Sequence, residues 1–583
     1  MKSSRYSMSD TQKLSGVEAI KKASDGLRGN IADELADAND FVSDASYELL
    51  KFHGSYQGYD RDSATERKKQ GLDKQWEFML RLKMPGGRLS AEQYLALDTL
   101  CDTHANGTLR ITTRQTFQFH CIVKAHLKPF VADINRILLS TLGGCGDVVR
   151  NIITCPAPIR DNIHAKLEEA CFTLAKDLAP KTEGYWDIWL DGEKIEAYPF
   201  LPSPAQGEPL YGDSYMPRKF KVAIGQPEDN CMDMLCNDIA LLALFNGQEL
   251  QGYNVAIGGG LGMNHNNPKT YPFLAKPIAF VKPENMVRAV ESVVKLQRDN
   301  GDRGDRKHAR LKYVVAEQGL DWCKTEMEKY FGASLDAPLP VKHWGVVDHV
   351  GWYEQGDGKW FLGVPIPSGR IADDVYGVAY RSALREVVST YKMPLTLTND
   401  QNIILCDIEE KEKVTISSIL RKYGVRLRED ITDLSRNFFA CVSLPTCGKA
   451  LAEAERVQHP LEAKIQQLLD KHEIGQEKIA VRIAGCPNGC SRPYVGDIGL
   501  VGRTPEHYSV FIGGDFEGTR LNEKVFDKVP FDDITTALEP MVALYKSGRN
   551  ANEGFGDFCH RHGIAAVKKT ATDALSTQYK WAA

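Results

Sequence analysis

Apolar positions are sparse in residues 1–75, which are polar and charged, and dense from Trp76 onward. Inside that first segment, Leu27-Arg-Gly-Asn-Ile-Ala-Asp-Glu-Leu35 has the spacing that opens a short helix. Asp60-Arg61-Asp62 through Lys68-Lys69-Gln70 is a charge run, and the whole segment reads as a solvated arm or packing strap. Trp76-Glu-Phe-Met-Leu-Arg-Leu-Lys-Met84 has strand character and stops at Pro85-Gly86-Gly87, a turn signal. Ser90 with Gln93 three residues later predicts a capping box at the start of a helix. The β-branched run from Thr108 to His120 predicts a strand, with a second near Phe117–Val123.

The same order of signals returns in the second half. Pro367-Ser-Gly-Arg370 matches Pro85-Gly-Gly-Arg88 at an offset of 282, and Leu395-Thr-Leu-Thr-Asn-Asp-Gln401 matches Leu109-Arg-Ile-Thr-Thr-Arg-Gln115 at 286. Asp238-Ile-Ala-Leu241 follows a strand expected at Phe220–Ile224, and Asp497-Ile-Gly-Leu500 follows one expected at Ile479–Ile483. Each match is weak alone, but their shared order predicts an internal duplication. The period is too long for a solenoid. The expected fold is α+β: two related halves of mixed sheets and helices about a pseudo-two-fold axis, with ligands at the interface.

Composition narrows the class. The chain has 583 residues, 43% hydrophobic and 26% charged, which suits a soluble protein with several cores. A net charge of −5 argues against sequence-independent nucleic-acid binding. The longest apolar run, Ile239-Ala-Leu-Leu-Ala-Leu-Phe245, is far short of a membrane span, and Met1–Asp10 has no apolar core behind its basic residues, so the expected location is the cytoplasm.

Fourteen cysteines in a chain of this length are not a disulfide framework. Four stand apart, in Cys441-Val-Ser-Leu-Pro-Thr-Cys447 and Cys486-Pro-Asn-Gly-Cys490. Both pairs fall where a strand gives way to a Pro- or Gly-containing loop whose free N–H groups can meet thiolate or sulfide. A cubane-type iron–sulfur cluster fits this best. Structural zinc fits the C-x5-C arm poorly, and four unrelated thiols remain an alternative. Cys101, Cys121, Cys171 and Cys323 read as buried single thiols, and Cys231 and Cys236 as surface or structural thiols rather than a second metal site.

Cations stand beside turn and strand signals: Arg81, Arg110, Arg114, Arg150, Arg218, Lys219 and Lys221. Lys219 and Lys221 alternate along Met216-Pro-Arg-Lys-Phe-Lys-Val-Ala-Ile224, which as a strand places both on one face. Two like charges there call for an anion, either a small oxyanion or a ligand with several carboxylates. Gly258-Gly-Gly-Leu-Gly262 lacks the residues of a P-loop or a dinucleotide turn. With no flavin or nicotinamide motif, a redox role needs electrons from another protein.

At these residues the chain resembles the sirohaem-dependent sulfite and nitrite reductases, nearest to the haemoprotein beta subunits of bacterial NADPH-sulfite reductases. The likeness runs from Leu27-Arg-Gly through Phe52-His-Gly, Thr113-Arg-Gln-Thr-Phe-Gln-Phe-His120, Pro217-Arg-Lys-Phe-Lys221, Asp305-Arg-Lys307 and the cysteine motifs to Gly554-Phe-Gly-Asp-Phe558. It implies a [4Fe–4S] cluster on Cys441, Cys447, Cys486 and Cys490, with Cys490 also the axial ligand of sirohaem. It implies that Arg81, Arg150, Lys219 and Lys221 hold the anion, and that Arg110, Thr112, Arg114, Gln118, His120, Arg306 and Asn488 touch the macrocycle or its carboxylates. The implied reaction is six-electron reduction of sulfite to sulfide, with nitrite reduction to ammonia as the alternative; Lys221, neutral in nitrite-reducing relatives, favours sulfite. The implied partner is an electron donor, a diflavin NADPH-dependent alpha subunit or a ferredoxin. The implied division is an arm at 1–75, ferredoxin-like halves at 76–147 and 344–425, a sirohaem- and anion-binding domain at 148–343 and a cluster domain at 426–583. Gly146 departs from the family, whose bacterial sulfite reducers carry Asn there.

Overall fold

The computed structural model describes residues 13–182, 184, 188–190, 193–195 and 208–582. Two five-stranded antiparallel sheets lie at the centre of the duplication. The first runs Ser55–Tyr59, Trp76–Arg81, Phe117–Ile122, Leu109–Ile111, Arg370–Ile371, and the second Gly351–Glu354, Trp360–Val364, Ile403–Ile408, Leu395–Leu397, Arg88–Leu89. Each sheet therefore takes its last strand from the other half of the chain. Arg370 and Ile371 pair with Arg110 and Leu109, and Arg88 and Leu89 pair with Thr396 and Leu395. The Pro85–Gly87 and Pro367–Gly369 turns feed these exchanged strands, and each places its second residue at positive φ.

The capping box predicted at Ser90 is present, with Ser90 Oγ accepting from Gln93 N at 3.2 Å and Gln93 Oε1 from Ser90 N at 3.0 Å. The helix it opens, Ala91–His104, packs on its counterpart Tyr380–Tyr391, and Arg381 Nε of the latter donates to Asp98 Oδ1 at 2.7 Å. Leu80, Leu109, Phe117, Leu362, Leu395 and Leu405 are buried in one cluster that spans both halves. Each such side chain contributes about 1.5–3 kcal/mol by leaving water, so neither half keeps its core without the other.

The larger sheets repeat the same relation. One runs Lys276–Val281, Glu249–Ile257, Ile239–Asn246, Val222–Gly225, and the other Phe438–Ala440, Val481–Ala484, Ile498–Thr504, His507–Ile512, Glu523–Pro530. Val222–Gly225 runs parallel to Ile239–Asn246, as Val481–Ala484 does to Ile498–Thr504. The Asp-Ile-x-Leu match has a physical basis. Asp238 Oδ2 accepts from Lys221 N at 2.8 Å, and Asp497 Oδ2 accepts from Ala480 N at 2.8 Å, each tying down the start of the parallel neighbour.

Several expectations change. Of the two readings of the first segment, residues 13–75 follow the packing strap and not the solvated arm: Leu27, Leu49 and Phe52 are buried, and the polar Ser55–Tyr59 is an edge strand of the first sheet. Its short helix is Ile31–Ala36, because Leu27 and Gly29 take positive φ. The Thr108–His120 run is two strands broken at Gln115, at φ 52°. The expected Met216–Ile224 strand begins only at Val222. Before it, Phe220 is held by the 148–150 stretch, donating to Val148 O at 3.1 Å and accepting from Arg150 N at 2.8 Å. Cys101, Cys171 and Cys323 are buried and Cys121 half-buried, while Cys231 and Cys236 are buried and not at the surface. Among the described residues no helix is long and apolar enough to cross a membrane. Met1–Asp10 lies outside the described residues.

Candidate active site

The four cysteines converge because two strands end side by side. Phe438–Ala440 and Val481–Ala484 run parallel with Ala440 opposite Ile483, so the loops carrying Cys441 and Cys486 leave the sheet together. Cys441 N donates to Ile483 O at 3.2 Å, and Gly485 N donates to Cys441 Sγ at 3.3 Å. Backbone N–H groups of Lys449 and Ala450 point at Cys447, and that of Asn488 at Cys486. Cys490 is exposed at the end of its loop, its carbonyl accepting from Thr113 Oγ1 at 3.0 Å.

These thiols feel one another. Burial first, and the neighbouring Cys490 next, push Cys486 up to about 12 and Cys441 well above its usual range; Cys447 is raised for the same reasons. Thiols so placed ionise together only around a multiply charged cationic group. Four such thiols on two neighbouring loops suit an iron–sulfur core.

Facing this pocket is a row of cations. Across the first small sheet Arg81 stands opposite Gln118, Gln118 opposite Arg110, and Arg110 opposite Arg370, so four side chains project from one face. His120 shares that face; Arg370 Nη1 lies 3.5 Å from its Nδ1, and burial, then Arg370 and Arg110, hold the imidazole neutral. Glu455 offsets part of the row, accepting from Arg110 Nε at 3.1 Å and from Arg370 Nε at 2.7 Å. Arg81 instead donates to Cys145 Sγ at 3.1 Å and lies within electrostatic reach of Cys490 and Cys447.

Lys219, Lys221, Arg114 and Arg150 complete the cationic wall. Arg150 is buried and donates from Nε to Gly146 O at 2.7 Å. Burial, then Arg150, lower Arg114 to about 9; its Nη1 donates to Asn237 Oδ1 at 2.6 Å and Thr112 Oγ1 accepts from its backbone N at 3.2 Å. Burial, then Arg114 and Arg310, lower Lys221 to about 7, while burial and then Lys221 lower Lys219. Both ammonium groups lie within electrostatic reach of Cys490. Among the described residues neither has a hydrogen-bond or ion-pair partner, and Arg114 Nε is buried without one. Unpartnered cations around an exposed thiol fit an anionic macrocycle and a small anion.

Arg306 lies at the rim, with Nη1 2.7 Å from Asp147 Oδ2 in a network that includes Lys21 and Arg218. Asn488 is half-buried in the Cys486–Cys490 loop and packs on the Gly258–Gly262 loop; a Cβ on Gly262 would sit 3.2 Å from Asn488 O. Those glycines serve close packing. Gly146 has φ +85°, and a Cβ there would lie 2.8 Å from Phe52, which leaves no room for a side chain at this position. Sequence reasoning missed Glu455, Cys145 and Arg310, whose Nη2 is 2.8 Å from Asp238 Oδ2, as site residues. Arg370 had a signal in its repeat match to Arg88, and Arg310 one in its place within the basic stretch from Arg303 to Lys312.

Comparison with known proteins agrees with this geometry. Residues 172–335 and 432–579 match the profile described as nitrite and sulphite reductase 4Fe-4S domain, and 72–137 and 353–423 match the nitrite/sulfite reductase ferredoxin-like half domain. The chain is 41% identical over 572 residues to a sulfite reductase [ferredoxin] of Synechococcus elongatus, covering 96% of this chain and 91% of that protein. It is 40% identical over 555 residues to a sulfite reductase [NADPH] hemoprotein beta-component of Staphylococcus saprophyticus, covering 95% and 96%. The fold is similar to that of the NirA protein of Mycobacterium tuberculosis, with TM-score 0.76, 24% identity and coverage of 95% and 97%. On its repeated halves, its cysteine loops and these matches, the chain belongs to the nitrite and sulphite reductase family.

Proposed function

We propose that the chain is the haemoprotein component of a cytoplasmic assimilatory sulfite reductase, converting sulfite, six electrons and six protons to sulfide and three waters. The observation that carries this reading is the pair of unpartnered ammonium groups, Lys219 and Lys221, facing the exposed Cys490 beside the buried Cys441 and Cys486 and the half-buried Cys447. Cys441, Cys447, Cys486 and Cys490 would hold a [4Fe–4S] cluster, and Cys490, the exposed one, would be shared with the iron of sirohaem. When bound, the sirohaem–cluster pair supplies an open iron position and delivers electrons.

The remaining steps belong to this chain. Arg110, Arg114 and the polar groups of Thr112, Gln118, His120, Arg306 and Asn488 orient the macrocycle through its carboxylates and edges. Arg81, Arg150, Lys219 and Lys221 gather the substrate anion and offset its loss of water. Lys221 Nζ, lowered to about 7 by burial and Arg114, is suited to giving a proton to a departing oxygen near neutral pH, which Arg is not. The presence of Lys221 supports sulfite over nitrite as the substrate.

Electrons must arrive from a partner, and the NADPH-type relatives support a diflavin NADPH-dependent alpha subunit as donor. The test is an absorption spectrum and iron assay, then turnover with reduced methyl viologen. A haem-type Soret band, about five irons per chain and faster turnover of sulfite than of nitrite are expected. A colourless, iron-free protein overturns the reading, and faster nitrite turnover overturns the substrate. NADPH-driven turnover with a diflavin subunit, and not with ferredoxin, checks the donor.

A further inference from the structure

A second cluster of ligating side chains lies away from the cysteine loops and the cation wall. Cys155, Asp229, Cys231 and His349 are all buried, and one ligand atom from each lies within 4.8 Å of all the others. Cys155 Sγ is 3.1 Å from Asp229 Oδ2 and 3.5 Å from His349 Nε2, and His349 Nε2 is 3.0 Å from Asp229 Oδ2. Cys155 and Cys231 are hydrogen-bonded through their side chains.

Tetrahedral zinc, with Zn–S near 2.3 Å and Zn–N or Zn–O near 2.0–2.2 Å, spaces its ligand atoms roughly 3.3–3.8 Å apart. The observed separations are those of such a shell drawn slightly inward. Two thiols, one imidazole and one carboxylate are the donors that zinc prefers, and four protein ligands are the number of a closed, structural site.

The surroundings point the same way. Asp229 Oδ1 accepts from Val347 N at 3.1 Å, which turns Oδ2 toward the cluster. His164 hydrogen-bonds to Cys155 and is itself held by Asp161, Nδ1 to Oδ1 at 2.8 Å. Such outer partners fix ligand orientation in metal sites. His349 sits at φ 51°, a backbone conformation that costs a non-glycine residue energy and persists only where something holds it. A cavity of about 260 Å³ lies against the cluster, and Asp229 and His349 themselves line it beside His164 and Glu228 and the apolar Ile159, Val347 and Phe361.

We propose that Cys155, Asp229, Cys231 and His349 bind a structural zinc ion, distinct from the redox centre. Its ligands come from three places: the 153–157 stretch of the first large domain, the turn after Gln226, and the segment that enters the second small sheet at Gly351. The last two already touch, with Asn230 N donating to Gly345 O at 2.7 Å and Gly345 N to Pro227 O at 3.0 Å. Zinc would clamp the crossover from the first large domain into the second ferredoxin-like half.

The test measures zinc and iron together in the whole protein purified from zinc-supplemented culture and passed over a chelating resin. About one zinc per chain is expected, with an X-ray absorption fit of two sulfur and two nitrogen or oxygen neighbours. Cys231→Ser and His349→Ala should each lower zinc at least tenfold with iron per chain unchanged, whereas Cys323→Ser should keep it. Should the variants not fold, the absorption fit on the unaltered protein decides alone. Zinc below about a tenth per chain, or a shell lacking two sulfurs, overturns the proposal and leaves a hydrogen-bonded thiol–carboxylate–imidazole group without metal.

Discussion

Arg370 stands directly across from Arg110 in the antiparallel pair that the second half of the chain lends to the first. Strands lie about 4.8 Å apart, so the two guanidinium groups repel unless an anion joins them, and Glu455 does so, bonded to both. Burial works against its ionisation, but Arg370 and Arg110 outweigh burial and hold the carboxyl below its usual range. A carboxylate lowered in the folded state adds stability that is present above its unfolded pKa of about 4.3 and lost as pH falls through the lower, folded value. Glu455→Gln should therefore cost about 3 kcal/mol at pH 7, seen as a fall in melting temperature, and much less at pH 3. An equal loss at both pH values would show that the ion pairs are not the source.

Gly146 is a second point where backbone and site are joined. Its carbonyl accepts from Arg150 Nε, its φ is +85°, and Phe52 fills the space a side chain would need. Gly146→Ala should destabilise by about 1–3 kcal/mol and also weaken anion binding, because Arg150 moves with its acceptor. Melting temperature and a nitrite titration of the same protein check both effects. Anion affinity unchanged in a destabilised variant would separate Arg150 from the anion.

Local signals made part of this architecture legible. Pro85-Gly-Gly-Arg88 and Pro367-Ser-Gly-Arg370 are turns whose chemistry is written in adjacent residues, so the duplication is visible in the sequence. The exchange of the strands that follow is not, because Arg88 finds Thr396 only in three dimensions. The cysteine loops show through spacing, and the Lys219/Lys221 pair through alternation, although the strand itself starts after them. Glu455 and Cys145 carry no motif; their roles come from burial beside particular arginines. Cys155, Asp229, Cys231 and His349 likewise come from three segments with no shared spacing. Within the strap at 13–75 the strand hides, because a polar edge strand such as Ser-Tyr-Gln-Gly-Tyr59 is hard to tell from a loop.

Cys490 differs from the other three thiols in being exposed and in facing Lys219 and Lys221. Cys490→Ser should lower sulfite turnover at least ~100-fold and alter the absorption spectrum, since a ligand shared by two metal groups would be lost. Cys323→Ser, a buried thiol in a helix of the first large domain, should leave the spectrum as it is. Full activity in Cys490→Ser would remove Cys490 from the bridging role.

Lys221 gives the sharpest pH signature. Burial first, then Arg114 and Arg310, lower its ammonium to about 7, so it is charged below that pH and loses its proton above it. An anion that needs the charged form binds more weakly as pH rises, by about tenfold per unit once the pKa is passed. Nitrite is the useful probe, because its own protonation lies far to the acid side and leaves Lys221 and its neighbours as the groups that titrate. Lys221→Arg should flatten the curve between pH 6 and 8, since guanidinium stays charged. Lys221→Asn should flatten it too but at lower affinity, and should reduce sulfite turnover more than nitrite turnover. The pH-dependent affinity surviving unchanged in Lys221→Arg would assign the titration to Lys219, the other lowered ammonium facing Cys490.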